Sequence, residues 1–311
     1  MIKAFVLVKN LKSTSEELHF ADFKLWKIGS SYDNDLKRAQ HLFSNAWPLK
    51  EDYVYEKTYD DDDKERERAP LDIEDTLLLM RLFKTRDIFF VNPCIEGPNG
   101  ELSSQFPYPV MVYTLTTNRY KIESEECLTF NSFVSEILFL PNWSSSWFKT
   151  ARRFFLYGGG KDYNPRHDLV DRIVDYITVL EAILVPEKDF VGRRLRKRAA
   201  ALIEKHNDIV DINGLLKGFY GVRSAVVHGG DISSFKNNIL KRNLDFETIV
   251  RKIIVEALRV FPVGDDRKIF LKQLFDICDQ TRSKKVFSDF CAIKDENEKI
   301  RCHDKISKRL L

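Results

Sequence analysis

The chain has 311 residues, enough for two domains with cores of their own, and its 43% hydrophobic and 31% charged content is that of an ordinary water-soluble protein. No apolar run reaches the ~18 residues of a membrane span, and the first residues read as a strand rather than a secretory signal, so a cytoplasmic protein without membrane contact is expected. The net charge of +3 hides an asymmetry: residues 1–150 hold 18 Lys and Arg against 24 Asp and Glu, and residues 151–311 hold 32 against 23. A basic C-terminal half attracts a polyanion such as RNA, or an acidic partner.

The first part of the chain reads as mixed α+β. Strands are predicted over 2–9, 18–28, 52–59, 88–94 and 109–116, and helices over 34–44 and 71–84. The charged run Asp60 to Arg68 reads as a solvated loop or hairpin tip, because a flat acidic run lacks the alternating ligand spacing of a calcium loop. From about Leu128 the pattern turns helical. Helices are predicted over 128–140, ended by Pro141, and over 144–157. Gly158-Gly159-Gly160 lacks the Lys-Ser/Thr of a phosphate loop and reads as a linker or helix stop. Asn164-Pro165 opens a helix that runs to about Val185 before Pro186. A basic helix follows over 190–206. Asp211 caps another that ends at Val227 or His228 before Gly229-Gly230. Two more are predicted over 244–261 and 265–280, and residues 282–311 form a charged tail.

This pattern predicts an α+β fold: an N-terminal domain over 1–125 and an all-α bundle over 126–281. The five cysteines, Cys94, Cys127, Cys278, Cys291 and Cys302, form no CxxC and are odd in number. Neither a disulfide framework nor a zinc site is expected, and no metal or other cofactor is implied. His41, His167, His206 and His303 have no partner pattern.

Two helices each carry one charge on an apolar stripe. Val170, Val174, Ile177 and Leu184 recur at helical spacing, and Glu181 fills the gap between the last two. Ile212, Leu216, Phe219 and Val226 form a second stripe, with Arg223 in its gap. Both charges point inward, where a charge needs a partner. They either pair to set helix register or form an edge at which Glu181 orients Arg223 toward a phosphate. His228 follows Arg223 by five residues, about 140° around an ideal helix. Either the last turn distorts or a second copy completes the site. Arg193, Arg194, Arg196, Lys197 and Arg198 lie within six residues, with Arg152 and Arg153 upstream. They read as a solvated face or as RNA contacts.

Arg223-Ser224-Ala225-Val226-Val227-His228 has the spacing of the arginine–histidine motif in the HEPN superfamily (higher eukaryotes and prokaryotes nucleotide-binding). Val179-Leu180-Glu181-Ala182-Ile183-Leu184 and Tyr220-Gly221-Val222-Arg223, with the terminal His228-Gly229, most resemble its Apea-like branch. The resemblance covers about residues 128–281. It implies a dimerising helical bundle and a metal-independent ribonuclease with Arg223, His228 and Glu181 as catalytic residues and Tyr220 and Ser224 as accessory ones. Active members often carry Asn, Asp or His where Ser224 stands. It further implies a setting in toxin–antitoxin or anti-phage defence, with an antitoxin or other defence protein as partner. Other members only bind nucleotides or RNA, or act as assembly domains.

Overall fold

The computed structural model describes residues 1–29, 33–43, 48–49, 51–86, 88–103, 119–160, 169–203, 211–232, 242–264 and 266–279. The expected strand over 109–116, the Asn164-Pro165 start, the tail over 282–311, and His167, His206, His303, Cys291 and Cys302 lie outside them. The fold is α+β. The chain divides into two compact units, one of residues 1–143 with 152–176, the other of 144–151 with 177–311.

The first unit is built on β1 (Ile2–Lys9), whose near-continuous apolar run suits a central strand covered on both faces. It pairs antiparallel with β5 (Tyr53–Tyr59) on one side and β6 (Phe89–Glu96) on the other. With β3 (Glu17–His19), β4 (Lys24–Lys27) and β7 (Leu102–Ser103) they form a six-stranded sheet in the order β3-β4-β5-β1-β6-β7. The single strand expected over 18–28 is therefore a hairpin. Pro93 sits inside β6, where the register with β1 shifts between Phe5 and Leu7 and Asn92 adopts φ 47°. A bulge is where a sheet tolerates a residue without an N–H. Two further short strands, β2 (Leu11–Lys12) and β8 (Tyr120–Lys121), pair in parallel.

One sheet face, with Phe5, Leu7, Trp26 and Val54, packs on α1 (Asp33–Leu42) through Ala39 and Leu42. Next comes α2 (Asp63–Phe83), which contacts β1, β5 and β6. The charged run is only partly a loop: Asp60–Asp62 lead in, and from Asp63 on it forms the first turns of α2. Asp62 accepts the Glu65 N–H at 2.7 Å, and Asp63 and Glu65 place negative charge at the helix N-terminus. Pro70 lies within this helix rather than before it.

The 125/126 boundary does not hold either, because α3 (Ser124–Leu138) packs in the first unit. Phe130 meets Phe20, Phe23 and Phe83 edge-on, and Glu123 accepts the Thr14 N–H at 2.9 Å. A helix with that aromatic side must stay with the sheet that completes its core. After a 3₁₀ turn over Pro141–Ser144 comes α4 (Ser146–Gly160), and the triple glycine is its last turn. A Cβ on Gly159 would lie 2.3 Å from the Arg81 guanidinium, and one on Gly158 would lie 2.6 Å from the Tyr176 ring. These glycines serve close packing. Buried Arg81 donates to the carbonyls of Ile88, Leu156 and Gly159 at 2.9, 3.0 and 3.2 Å.

In the second unit, α5 (Leu169–Leu184) supplies its C-terminal half, followed by α6 (Val191–Ile203), α7 (Ile212–Val227), α8 (Asn243–Val260) and α9 (Asp266–Asp279). The basic helix α6 is the hub: it packs on α7, α8 and α9, and Leu195, Ala199 and Leu202 are buried. Phe219 of α7 stacks on Phe246 of α8, with centroids 4.1 Å apart.

The last carbonyls of α5 have no intrahelical partner and Pro186 follows at once, so they need outside donors. Arg267 donates to Ala182 and Ile183 at 2.7 and 2.6 Å. Arg198 donates to Leu184 at 2.7 Å, to Leu271 at 2.8 Å, and through two nitrogens to Glu187 at 2.7 and 2.8 Å. Burial and the neighbouring Arg198 charge bring the Arg267 pKa down to about 10.

Arg198→Met should destabilise the second unit by ~3–5 kcal/mol, because it strands the Glu187 carboxylate and two carbonyls. Arg198→Lys should recover only part of this, since an ammonium lacks the guanidinium fork. Urea denaturation of both variants measures the two costs.

Asp75 gives a pH prediction. Burial pushes its carboxyl up to about 6, against the pull of Arg152 and with a further push from Asp72 and Glu74. Its protonated form favours the folded state, and that contribution is lost as pH rises from about 4 to about 6. Asp75→Asn stays neutral throughout. Its melting temperature relative to wild type should therefore be higher at about pH 7 than at about pH 4.

Candidate functional site

The candidate site is formed by the last turn of α5, the second half of α7 and one face of α6. Asp211 opens α7 by accepting the Gly214 N–H at 2.7 Å. Ile212, Leu215, Leu216, Phe219 and Val222 form its buried stripe, which turns Arg223 toward α5.

Arg223 Nη2 donates to Glu181 Oε2 at 3.2 Å, so the two charges that the stripes turn inward do meet. Their side chains are 24% and 20% exposed, which places the pair at the edge of the core rather than inside it. Burial pushes the Glu181 carboxyl up and Arg223 pulls it back. The pair is incompletely satisfied: Glu181 Oε1 and Arg223 Nε are buried and have no hydrogen-bond partner among the described residues. Nε is thus an unmet buried donor, and the guanidinium meets solvent only through the rest of its surface.

Tyr220, one turn before Arg223, lies with its ring centroid 6.0 Å from that guanidinium. Its ring rests on the backbone of α6. A Cβ on Gly192 would lie 2.7 Å from Tyr220 Cε1. Burial and Glu181 raise the phenol pKa, opposed by Arg223 and Arg196, so the hydroxyl keeps its proton at neutral pH. Ser224 is half-buried on the next position of α7.

His228 is the C-cap of α7, as the terminal glycines suggest. Gly229 adopts φ 68° and donates to Val226 at 3.3 Å, while Gly230 donates to Ala225 at 2.6 Å. This pair of hydrogen bonds with a left-handed glycine closes the helix. The His228 side chain is exposed, and among the described residues no hydrogen bond or ion pair joins it to Arg223 or Glu181.

The seven basic residues separate into different environments. Arg198 is 2% exposed and spent on the end of α5, so it is not part of a solvated face and cannot take a phosphate without leaving its carbonyls bare. Arg152 belongs to the first unit and is held by Glu74 at 2.8 Å and by Asp75. Arg153 is exposed beside the rings of Phe154 and Tyr157. On α6, Arg193 and Lys197 lie over Phe275 of α9, at 5.8 and 5.0 Å. Arg194 is 3.8 Å from Glu187. Arg196 has no carboxylate, carbonyl or ring partner among the described residues.

Sequence reasoning read Arg198 only as part of the basic cluster, and passed over Arg267 and Gly192. A signal existed for the first, because Leu195, Arg198, Ala199 and Leu202 share one helical stripe just as Glu181 and Arg223 share theirs. Arg267 and Gly192 carry no such signal. Among the described residues no group of three or more His, Cys, Asp or Glu is placed to hold a metal ion, and no helix is long and apolar enough to cross a membrane. Cys94 and Cys127 are free and buried, and burial pushes the Cys94 thiol up to about 12. The chain matches no protein-family model, no curated protein and no solved structure.

Chemically, the arrangement offers a partly exposed guanidinium, a protonated phenol, and an imidazole at the end of the same helix. The first two suit an anion, and the third is a group that can accept or donate a proton. Glu181→Ala should destabilise the protein by ~1–3 kcal/mol, less than a fully buried pair would cost, because Arg223 can reach water. A double-mutant cycle with Arg223→Ala, read by urea denaturation, should show a coupling of ~0.5–3 kcal/mol for residues in direct contact.

Proposed function

We propose that the protein is a HEPN-type, metal-independent RNA endonuclease. The observation that carries this reading is the Glu181–Arg223 pair at the edge of the core, with Arg223 on a helix that ends in His228-Gly229. Arg223 holds a phosphodiester by the exposed part of its guanidinium, and Glu181 positions that guanidinium from the other side. His228 takes the proton from the ribose 2′-hydroxyl, and the 2′-oxygen forms a bond to phosphorus as the bond to the 5′-oxygen breaks. The leaving oxygen then takes a proton from the imidazolium. Arg223 stabilises the charge that develops on the non-bridging oxygens. The products end in 2′,3′-cyclic phosphate and 5′-hydroxyl, and DNA is inert because it lacks the nucleophile.

Arg223 and His228 diverge by about 140° on one helix. A homodimer that brings two α7 helices together supplies both groups to one phosphate, each chain contributing equally. Sedimentation should report about twice 36.4 kDa. The biological setting that goes with this reading is toxin–antitoxin or anti-phage defence in the cytoplasm, with an antitoxin or other defence protein as partner.

A second reading is favoured by the Glu181 contact to Arg223 and the separation of His228 from both: a non-catalytic HEPN module that dimerises or binds RNA for another effector. RNA cleavage in EDTA separates the two. Wild type should release cyclic-phosphate ends, and His228→Ala and Arg223→Ala should each lose activity by a factor of ~10²–10⁴ while staying folded. Equal cleavage by His228→Ala overturns the catalytic assignment. Salt-sensitive RNA binding by a wild type that never cleaves supports the second reading.

A further inference from the structure

We infer that Tyr220 and Arg196 form a second phosphate subsite beside Arg223, so that the protein grips a nucleic-acid strand through two consecutive phosphodiesters. The inference rests on the ribonuclease reading and deepens it.

The geometry is that of two helices meeting at one ring. Tyr220 seats on α6 at Gly192, the only residue type that leaves room there, since a Cβ would fall 2.7 Å from the ring. Arg196 lies four residues after Gly192, one turn along the same face of α6. Arg223 lies three residues after Tyr220, one turn along α7, with its guanidinium 6.0 Å from the ring centroid. The phenol is thus bracketed by two cations on two different helices. The ring is packed against the α6 backbone and lies beside Arg223, so the hydroxyl is the group it offers to a ligand. Nothing among the described residues accepts from that hydroxyl.

The rest of the basic run is committed elsewhere. Arg198 is buried, Arg194 is directed toward Glu187, and Arg193 and Lys197 lie over Phe275. Arg196 is the member that has no carboxylate, carbonyl or ring partner among the described residues. A donor between two cations suits a pair of linked phosphates: Arg223 on the reacting one, Arg196 on its neighbour, and the Tyr220 hydroxyl donating to a non-bridging oxygen between them. Substrates with a single phosphodiester leave Arg196 unused, so the site selects oligonucleotides over dinucleotides.

The test is direct binding of a short fluorescein-labelled 2′-O-methyl oligouridylate, which has no 2′-hydroxyl to react, titrated at several salt concentrations. Each phosphate contact to a single strand contributes ~0.7 to the slope of log affinity against log salt. Arg196→Gln should lower that slope by ~0.7. Tyr220→Phe keeps the ring on Gly192 and should weaken binding roughly tenfold without changing the slope. Lys149→Gln, an exposed cation on α4, serves as the charge control. An unchanged slope in Arg196→Gln, with a lowered one in Arg223→Gln, overturns the second subsite and leaves the ribonuclease reading standing. An equal drop in Lys149→Gln also overturns it, because the effect is then a diffuse field. A wild type that does not bind the oligonucleotide overturns both.

Discussion

The second unit depends on how the end of α5 is satisfied. Three carbonyls in its last turn are met by two guanidiniums, the buried Arg198 and the half-buried Arg267. Arg198 also holds Glu187 and the backbone of α9, so one side chain ties α5, α6, α9 and the segment after Pro186. The last helical turns of α5 carry Glu181. With that turn held, the carboxylate keeps its place opposite α7 and sets the plane of Arg223. The candidate site is therefore the outer edge of a structural network, and the charge that faces solvent is oriented by charges that do not.

The first unit uses the same device. Arg81 is buried and gives its nitrogens to three backbone carbonyls, two of them at the end of α4. Glycines at 158 and 159 open the space for it and for Tyr176. Lys9 and Asp52 pair in the interior, both under 9% exposed. In each unit a buried cation is tolerated because its donors are spent on groups that would otherwise be bare. Such groups contribute more to geometry than to net stability, since an apolar core without unmet carbonyls would do as well energetically.

The basic helix α6 illustrates how one run of charge is divided by packing. Five cations in six residues must fall on every side of a helix. The side with Leu195, Arg198 and Ala199 went to the core, the side with Arg193 and Lys197 to the Phe275 ring, and the side with Gly192 and Arg196 to α7. Only the last adjoins Tyr220 and Arg223. A count of charges along the chain therefore overstates the cationic surface open to a ligand.

Much of the helical half was legible from periodicity. Glu181 and Arg223 each occupy a gap in an apolar stripe, and helical spacing alone turns them inward and toward partners of opposite sign. Capping residues mark helix ends by local geometry, and so Asp211 and Gly229 bound α7 where expected. The split of the second strand into a hairpin, the helix begun at Asp62 and the assignment of α3 to the sheet were not legible. Each depends on what lies across the core: an aromatic cluster for α3, the sheet for α2. By itself the sequence determined the α+β class, the helices and the inward charges, because these follow from the chain's own period and caps. Only the tertiary structure decided which cations are buried, which ring meets Gly192 and that His228 stands apart from Arg223, because those depend on contacts between residues far apart in the chain.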